Sequence, residues 1–233
     1  MNDIILYTAN TMNGWKPLIF LHEAEIGYDL VPISFSKKEQ KAPDYLKINP
    51  NGRIPTIVDR SNDNFAVFES GAILWYLAEK YDRFLSHDPN ERSETLQWIM
   101  FQMGGIGPMM GQAMFFQRIA APNGHQDDYA IDRYVKESRR LLEVLNTRLQ
   151  GRDWLVGSDM SIADIATYPW ARSYFWAGVS VEGLDHLNAW FDRIDARPKT
   201  QKALQLPEPR PTVFGKGDID AAAKENAARF KDQ

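Results

Sequence analysis

Two hydrophobic periods divide this chain, and their order limits its fold more than any other feature. Up to residue 81, short apolar runs of strand length alternate with runs of helical period. Beyond residue 92 only the helical period remains. That order fits a small α/β layer followed by an all-helical one. Residues 3–9 (DIILYTA) make a first strand, and residues 15–26 (WKPLIFLHEAEI) place Leu18, Leu21 and Ala24 or Ile26 at near-helical spacing. Pro17 suits the first turn of that helix, which needs no internal N–H donor. Residues 28–34 (YDLVPIS) are β-prone, and Pro32 points to an edge strand. After a polar, helical or irregular stretch, residues 54–59 and 65–68 flank the turn SNDN as a hairpin. Residues 70–81 (SGAILWYLAEKY) predict a helix with Ile73, Leu74, Leu77 and Tyr81 on one face.

Residues 86–92 (SHDPNER) read as a linker, so the expected units are residues 1–85 and 92–233. In the second unit, residues 94–116 are rich in Met, Phe and Trp, and the insert from Gly104 to Pro108 predicts a kink or break. Residues 129–149 are strongly periodic, residues 162–176 very apolar, and residues 184–196 amphipathic up to Pro198. The tail after Leu206 reads as an extended arm ending in a frayed helix.

Composition narrows the chemistry. The chain of 233 residues carries 27 Lys and Arg against 31 Asp and Glu, a net charge of −4, which disfavours broad capture of nucleic acid. No apolar run approaches the roughly 18–20 residues of a membrane span. The N-terminus lacks the basic region and cleavage site of a signal peptide, so a cytoplasmic location is expected. There is no cysteine. Disulfides, thiolate metal sites and a protein-borne thiol nucleophile are thereby excluded, and any sulfur chemistry must use sulfur that arrives with a ligand. The four histidines show no metal spacing, so no metal is expected. No GxSxG stands near a His/Asp pair, no HExxH occurs, and the glycines at 104, 105, 107 and 111 lack phosphate-loop spacing.

Four local features remain. Ser161 and Asp164 form a capping-box pattern flanked by Met160 and Ile165, which is a structural signal. Pro55, at the mouth of a strand, is either a plain turn residue or half of a cis Ile54–Pro55 bond. The cis form would leave the Ile54 backbone N–H and C=O facing outward, ready to pair with an extended peptide ligand. Glu69 and Ser70 stand where a strand meets a helix. Ser70 is either a simple N-cap, or part of a site in which the helix N-terminus takes a carboxylate and Glu69 an ammonium, as an amino-acid head group requires. Thr11, Met12, Asn13 and Gly14 follow the first strand; Asn-Gly is an ordinary turn pair, but loops at the carboxyl ends of strands are where ligands bind in α/β layers.

Taken together, NPNGRIPTIVD, FESGAILWYLAEKY and SIADIATYPW, in this order, resemble the glutathione transferases across roughly residues 3–205. TMNGWK, LQWIMFQMGGIGPMMGQ and AIDRY are similar to the bacterial nu class, itself akin to the yeast nitrogen-regulator group. The resemblance implies a thioredoxin-like N-terminal domain, an all-α C-terminal domain, a homodimer, and glutathione as substrate. It implies Glu69 and Ser70 on the γ-glutamyl head and the Ile54 backbone beside Pro55 along the cysteinyl part. Gln40 and Arg53 would approach the glycine end, Arg133 would assist binding, and Thr11 and Asn13 would lie beside the sulfur. The hydroxyl or thiol that many family members place in the first loop departs here: Tyr7 lies inside the strand and cysteine is absent. The nu branch implies glutathione-dependent disulfide-bond reduction with weak conjugation. A conjugating transferase for apolar electrophiles, its wall formed by residues 94–116, and a non-catalytic glutathione-binding regulator are the alternative readings.

Overall fold

The computed structural model describes residues 2–209. The expected arm and terminal helix at residues 210–233 lie outside them.

Strand β1 (Ile4–Thr8) leads into helix α1 (Met12–Glu23) and back to β2 (Tyr28–Pro32), which pairs with β1 in parallel. Helix α2 (Pro43–Ile48) precedes the hairpin of β3 (Thr56–Asp59) and β4 (Phe65–Phe68). The sheet order is β2-β1-β3-β4, with β3 antiparallel to β1. Pro32 therefore ends an edge strand, where its missing N–H costs no ladder bond. Helix α3 (Ser70–Tyr81) closes this layer.

The helical layer comprises α4 (Pro89–Phe101), α5 (Gly107–Phe115), α6 (Asp128–Arg148), α7 (Ile162–Arg172), α8 (Asp185–Asp195) and α9 (Pro198–Leu204). Ser161 Oγ caps α7 by accepting from Ala163 N–H at 3.2 Å, and the Asp164 carboxylate returns to Ser161 N–H at 2.9 Å. Fully buried Asp164 also accepts from Leu155 N–H and the Trp190 indole, so the capping box doubles as the polar knot of the helical layer.

Several expectations need correction. Helix α1 starts at Met12, not Trp15, because Thr11 Oγ1 accepts from Gly14 N–H at 3.0 Å and recruits Asn13-Gly14 into the first turn. Pro17 is consequently inside the helix. The expected linker is half helix: the Asp88 carboxylate accepts from Asn90 and Glu91 N–H and starts α4 at Pro89. The glycine insert does not break its helix. Residues Gln102–Ile106 widen into a π turn and α5 continues directly. The helix expected to continue past Arg172 gives way to a 3₁₀ turn at Tyr174–Ala177. The amphipathic helix does stop before Pro198, but Pro198 then opens a short further helix, α9, that the sequence reading did not include.

Helix α1 packs on α3, α7 and α9. One apolar cluster runs from Ile4 and Leu6 of the sheet through Leu18 and Phe20 of α1 to Ile165, Trp190 and Leu204 of the helical layer. Its edge is tied by Glu23, which accepts from Arg197 at 2.7 Å and from Thr200 at 2.7 Å.

Candidate functional site

Register brings three sequence features to one end of the sheet. Tyr7 of β1 faces Thr56 of β3, and Thr56 faces Phe68 of β4. The loop after β1, the Ile54–Pro55 turn before β3, and the Glu69–Ser70 junction after β4 thus emerge at the same edge. The helical layer covers this edge at Trp170 and at the π turn.

At the first feature, Gly14 allows the backbone to close. A side chain there would meet the Ala9 carbonyl at 2.1 Å and Thr8 Oγ1 at 2.6 Å. Thr8 instead donates to the Gly14 carbonyl at 3.1 Å. Asn13 Oδ1 accepts from Trp170 Nε1 at 2.8 Å. An indole N–H can only donate, so the atom it meets must be the amide oxygen. The NH₂ end of Asn13 makes no bond among the described residues and is left to donate, beside a helix N-terminus whose free N–H groups also favour negative charge. The Thr11 hydroxyl lies on the same turn. Tyr7 stays in the strand, packed edge-on against Tyr45.

The second feature is held rigidly. The Ile54–Pro55 bond is cis. The Arg53 carbonyl accepts from Tyr45 Oη at 2.6 Å and Asn49 Nδ2 at 2.7 Å, and both residues also bond Thr56 Oγ1. Burial pushes the Tyr45 phenol up, keeping it a donor. Ile54 itself lies outside the β3–β4 ladder, which ends at the Thr56–Phe68 pair. Gln40 is buried nearby, under the Gly52 turn, and its Oε1 has no partner among the described residues. The Arg53 side chain is exposed.

The third feature corrects one sequence reading: Ser70 is not the N-cap. Glu69 takes the cap position with φ +69° and makes no side-chain cap bond, while Ser70 is the first helical residue and only 2% exposed. Glu69 is exposed, with Asn51 Nδ2 3.5 Å from its Oε1. Ser70 Oγ accepts from Lys16 Nζ at 3.1 Å and faces Met103 Sδ at 3.6 Å. Lys16 Nζ also donates to Gln102 Oε1 at 2.6 Å and to Met103 Sδ at 3.5 Å. Lys16 is 0% exposed. Burial pushes its ammonium down to about 7, with Glu69 pulling the other way. Arg133, on α6, is exposed, and no bond joins it to the other candidates among the described residues. Its neighbour Tyr134 stacks on Phe116.

Among the residues of this site that carry no expectation from the sequence are Lys16, Gln102 and Trp170. Lys16 did leave a signal, a lone cation within WKPLIFL. Gln102 and Trp170 left none, since their partners are 86 and 157 residues away.

Comparison with known proteins agrees with this architecture. The sequence profile for the glutathione S-transferase N-terminal domain matches residues 2–79, and that for the C-terminal domain matches residues 101–198. The disulfide-bond oxidoreductase YfcG of Escherichia coli K12 is 46% identical over 205 residues, covering 86% of this chain and 94% of that protein. A glutathione transferase from Pseudomonas putida, solved with one glutathione disulfide bound per subunit, superposes with a TM-score of 0.83 at 40% identity, covering 88% of this chain and 92% of that one. One from Burkholderia graminis, solved with two glutathione molecules per subunit, gives 0.84 at 41% identity, covering 88% and 89%.

Proposed function

The chain belongs to the glutathione S-transferase family, and from that premise we propose that it is a glutathione-dependent disulfide-bond oxidoreductase of the nu class, acting as a cytoplasmic homodimer. The observation that carries this reading is the Trp170–Asn13 bond, which occupies the amide oxygen and leaves the amide N–H donors unspent at the start of α1 in a chain without a cysteine of its own.

Glutathione lies extended along the sheet edge. Its γ-glutamyl ammonium meets Glu69 and its carboxylate meets Ser70 and the free N–H groups of α3. Its cysteinyl backbone pairs with Ile54 beside Pro55. Its glycine end approaches Gln40 and Arg53, and Arg133 assists binding. The thiol then sits by Thr11 and Asn13. A free thiol titrates near 8.5, so only a minority is thiolate at neutral pH. Donors and the helix N-terminus favour the anion. The shift must be modest, because nucleophilicity falls with the thiol's pKa.

In the reaction, the glutathione thiolate forms an S–S bond with one sulfur of the substrate disulfide. The other sulfur leaves as a thiolate and takes up a proton. A second glutathione thiolate attacks the mixed disulfide at the glutathione sulfur and releases the remaining substrate thiol. Two glutathiones are oxidised to one glutathione disulfide, and one substrate disulfide is reduced to two thiols. The rate gain comes mainly from positioning. Turnover of a small disulfide against turnover of an aryl halide, both with glutathione, tests the reading. Preference for the aryl halide would make the chain a conjugating transferase.

A further inference from the structure

Among the described residues, Lys16 is an ammonium with no carboxylate bonded to it. It has no exposure, and its acceptors are a hydroxyl, an amide oxygen and a thioether, all neutral. Burying a charge under such conditions is costly, and proteins ordinarily pair it or let it go neutral. The charges on the elements packed around α1 are committed elsewhere. On α3, Glu79 pairs with Arg92 and Lys80 with Asp59. On α7, Asp164 is enclosed in its capping box, while Tyr168 and Arg172 both bond Asp195. On α9, Lys199 pairs with Glu25, and Lys202 acts on His22 at the other end of α1. The π turn contributes only uncharged Gln102 and Met103. Among the described residues Glu69 is the charge that acts on Lys16, from an exposed position.

What Lys16 does touch is Ser70, the residue that opens α3. Ser70 Oγ stands between the buried amine and the free N–H end of that helix. Its own proton is spent on a thioether, a weak acceptor, and so can turn to a better one. We propose that Lys16 is the internal counter-charge of the γ-glutamyl carboxylate site, an amine that takes up a proton from solvent as the anion docks on Ser70. This rests on the glutathione reading given above. A carboxylate on Ser70 lies two hydrogen-bond lengths from Nζ, about 6 Å. At that range an opposite charge raises the amine's titration midpoint by about two pH units. Near neutral pH the unliganded site holds Lys16 partly neutral, and the liganded site holds it charged. The ligand's carboxylate keeps its charge, and the proton comes from buffer to the Nζ lone pair. The site therefore distinguishes an anionic head group from a neutral one through a residue the ligand never touches.

The test is titration calorimetry at pH 8 with S-methylglutathione, which has no thiol to ionise, in two buffers of different ionisation heat. Wild type should take up about half a proton or more per site, and close to none at pH 6, where Lys16 is already charged. Lys16→Met should bind with the pH 8 uptake abolished. Equal uptake in both proteins, or none in wild type despite binding, overturns the proposal and leaves the glutathione site standing. No binding at all by equilibrium dialysis removes both. Should Lys16→Met not fold, wild type labelled with lysine ε-¹³C decides the matter by NMR. One lysine must titrate near neutrality and move up by at least a pH unit on adding S-methylglutathione; an unmoved midpoint rejects the idea.

Discussion

The indole N–H of Trp170 ends on Asn13 Oδ1, 2.8 Å away and 157 residues along the chain. A residue of α7 thus fixes which end of an amide in α1 can serve a ligand, and the helical layer sets the chemistry of the sheet layer's loop.

Asn13→Ala should lower kcat for disulfide reduction by about tenfold or more while leaving glutathione affinity within about threefold. Trp170→Phe keeps the ring and loses the N–H, so it should lower kcat by a smaller factor in the same direction. Steady-state kinetics with binding measured separately checks both. Matched losses in kcat and affinity for Asn13→Ala would reassign it to plain binding.

Replacing Glu69 and Ser70 by Ala should raise the KM for glutathione by about tenfold or more, because hydrogen bonds to charged groups are worth roughly 1.5–3 kcal/mol each. An unchanged KM removes the head group from α3.

Arg133→Ala should weaken glutathione binding in calorimetry with no change in melting temperature, since the side chain is exposed. Identical affinity would show that the exposed guanidinium serves nothing in ligand capture.

Lys16 also predicts a pH dependence of stability. Its folded value is about 7 against an ordinary 10.5, a depressed base. Below pH 7 both states carry the proton and the burial penalty is constant. Between 7 and 10.5 the unfolded chain holds more protons than the folded one, so stability rises with pH. Relative to Lys16→Met, wild type should gain about 2 kcal/mol between pH 7 and pH 9 in urea unfolding. Parallel pH profiles for the two proteins would show that Lys16 is not held down in the fold.

Asp164→Ala should cost about 3–5 kcal/mol, because it strands the Leu155 and Ser161 N–H groups and the Trp190 indole at once in a buried setting. Differential scanning calorimetry reads this directly.

What the sequence made legible was local. Hairpin strands around SNDN, the edge Pro32, the helix at residues 70–81 and the capping box each depend on neighbours a few positions apart, and each stands in the structure. The start of α1 was misplaced because Asn-Gly suits a turn as well as a first helical turn, and only the Thr11 cap decides. Of the kink or break expected at the glycine insert, the break does not occur, because a π turn absorbs what it would otherwise relieve. Of the candidate site's backbone, the cis form of Ile54–Pro55 was one of two readings the sequence left open, while at the entry to α3 the cap belongs to Glu69 and not to Ser70. Lys16, Gln102 and Trp170 escaped because their roles exist only once the two layers are packed together. The bonds Lys16–Gln102 and Asn13–Trp170 bridge segments that share no local pattern.

The clasp of Glu23 by Arg197 and Thr200, at the rim of one unbroken apolar interior, has a consequence for how the molecule comes apart. Neither layer has a private interior to retain when the other melts, so denaturation should be a single cooperative event. The ligand-facing edge shares in that one transition. A nick or substitution near α9, far along the chain from any proposed contact with glutathione, would be felt there as a loss of grip.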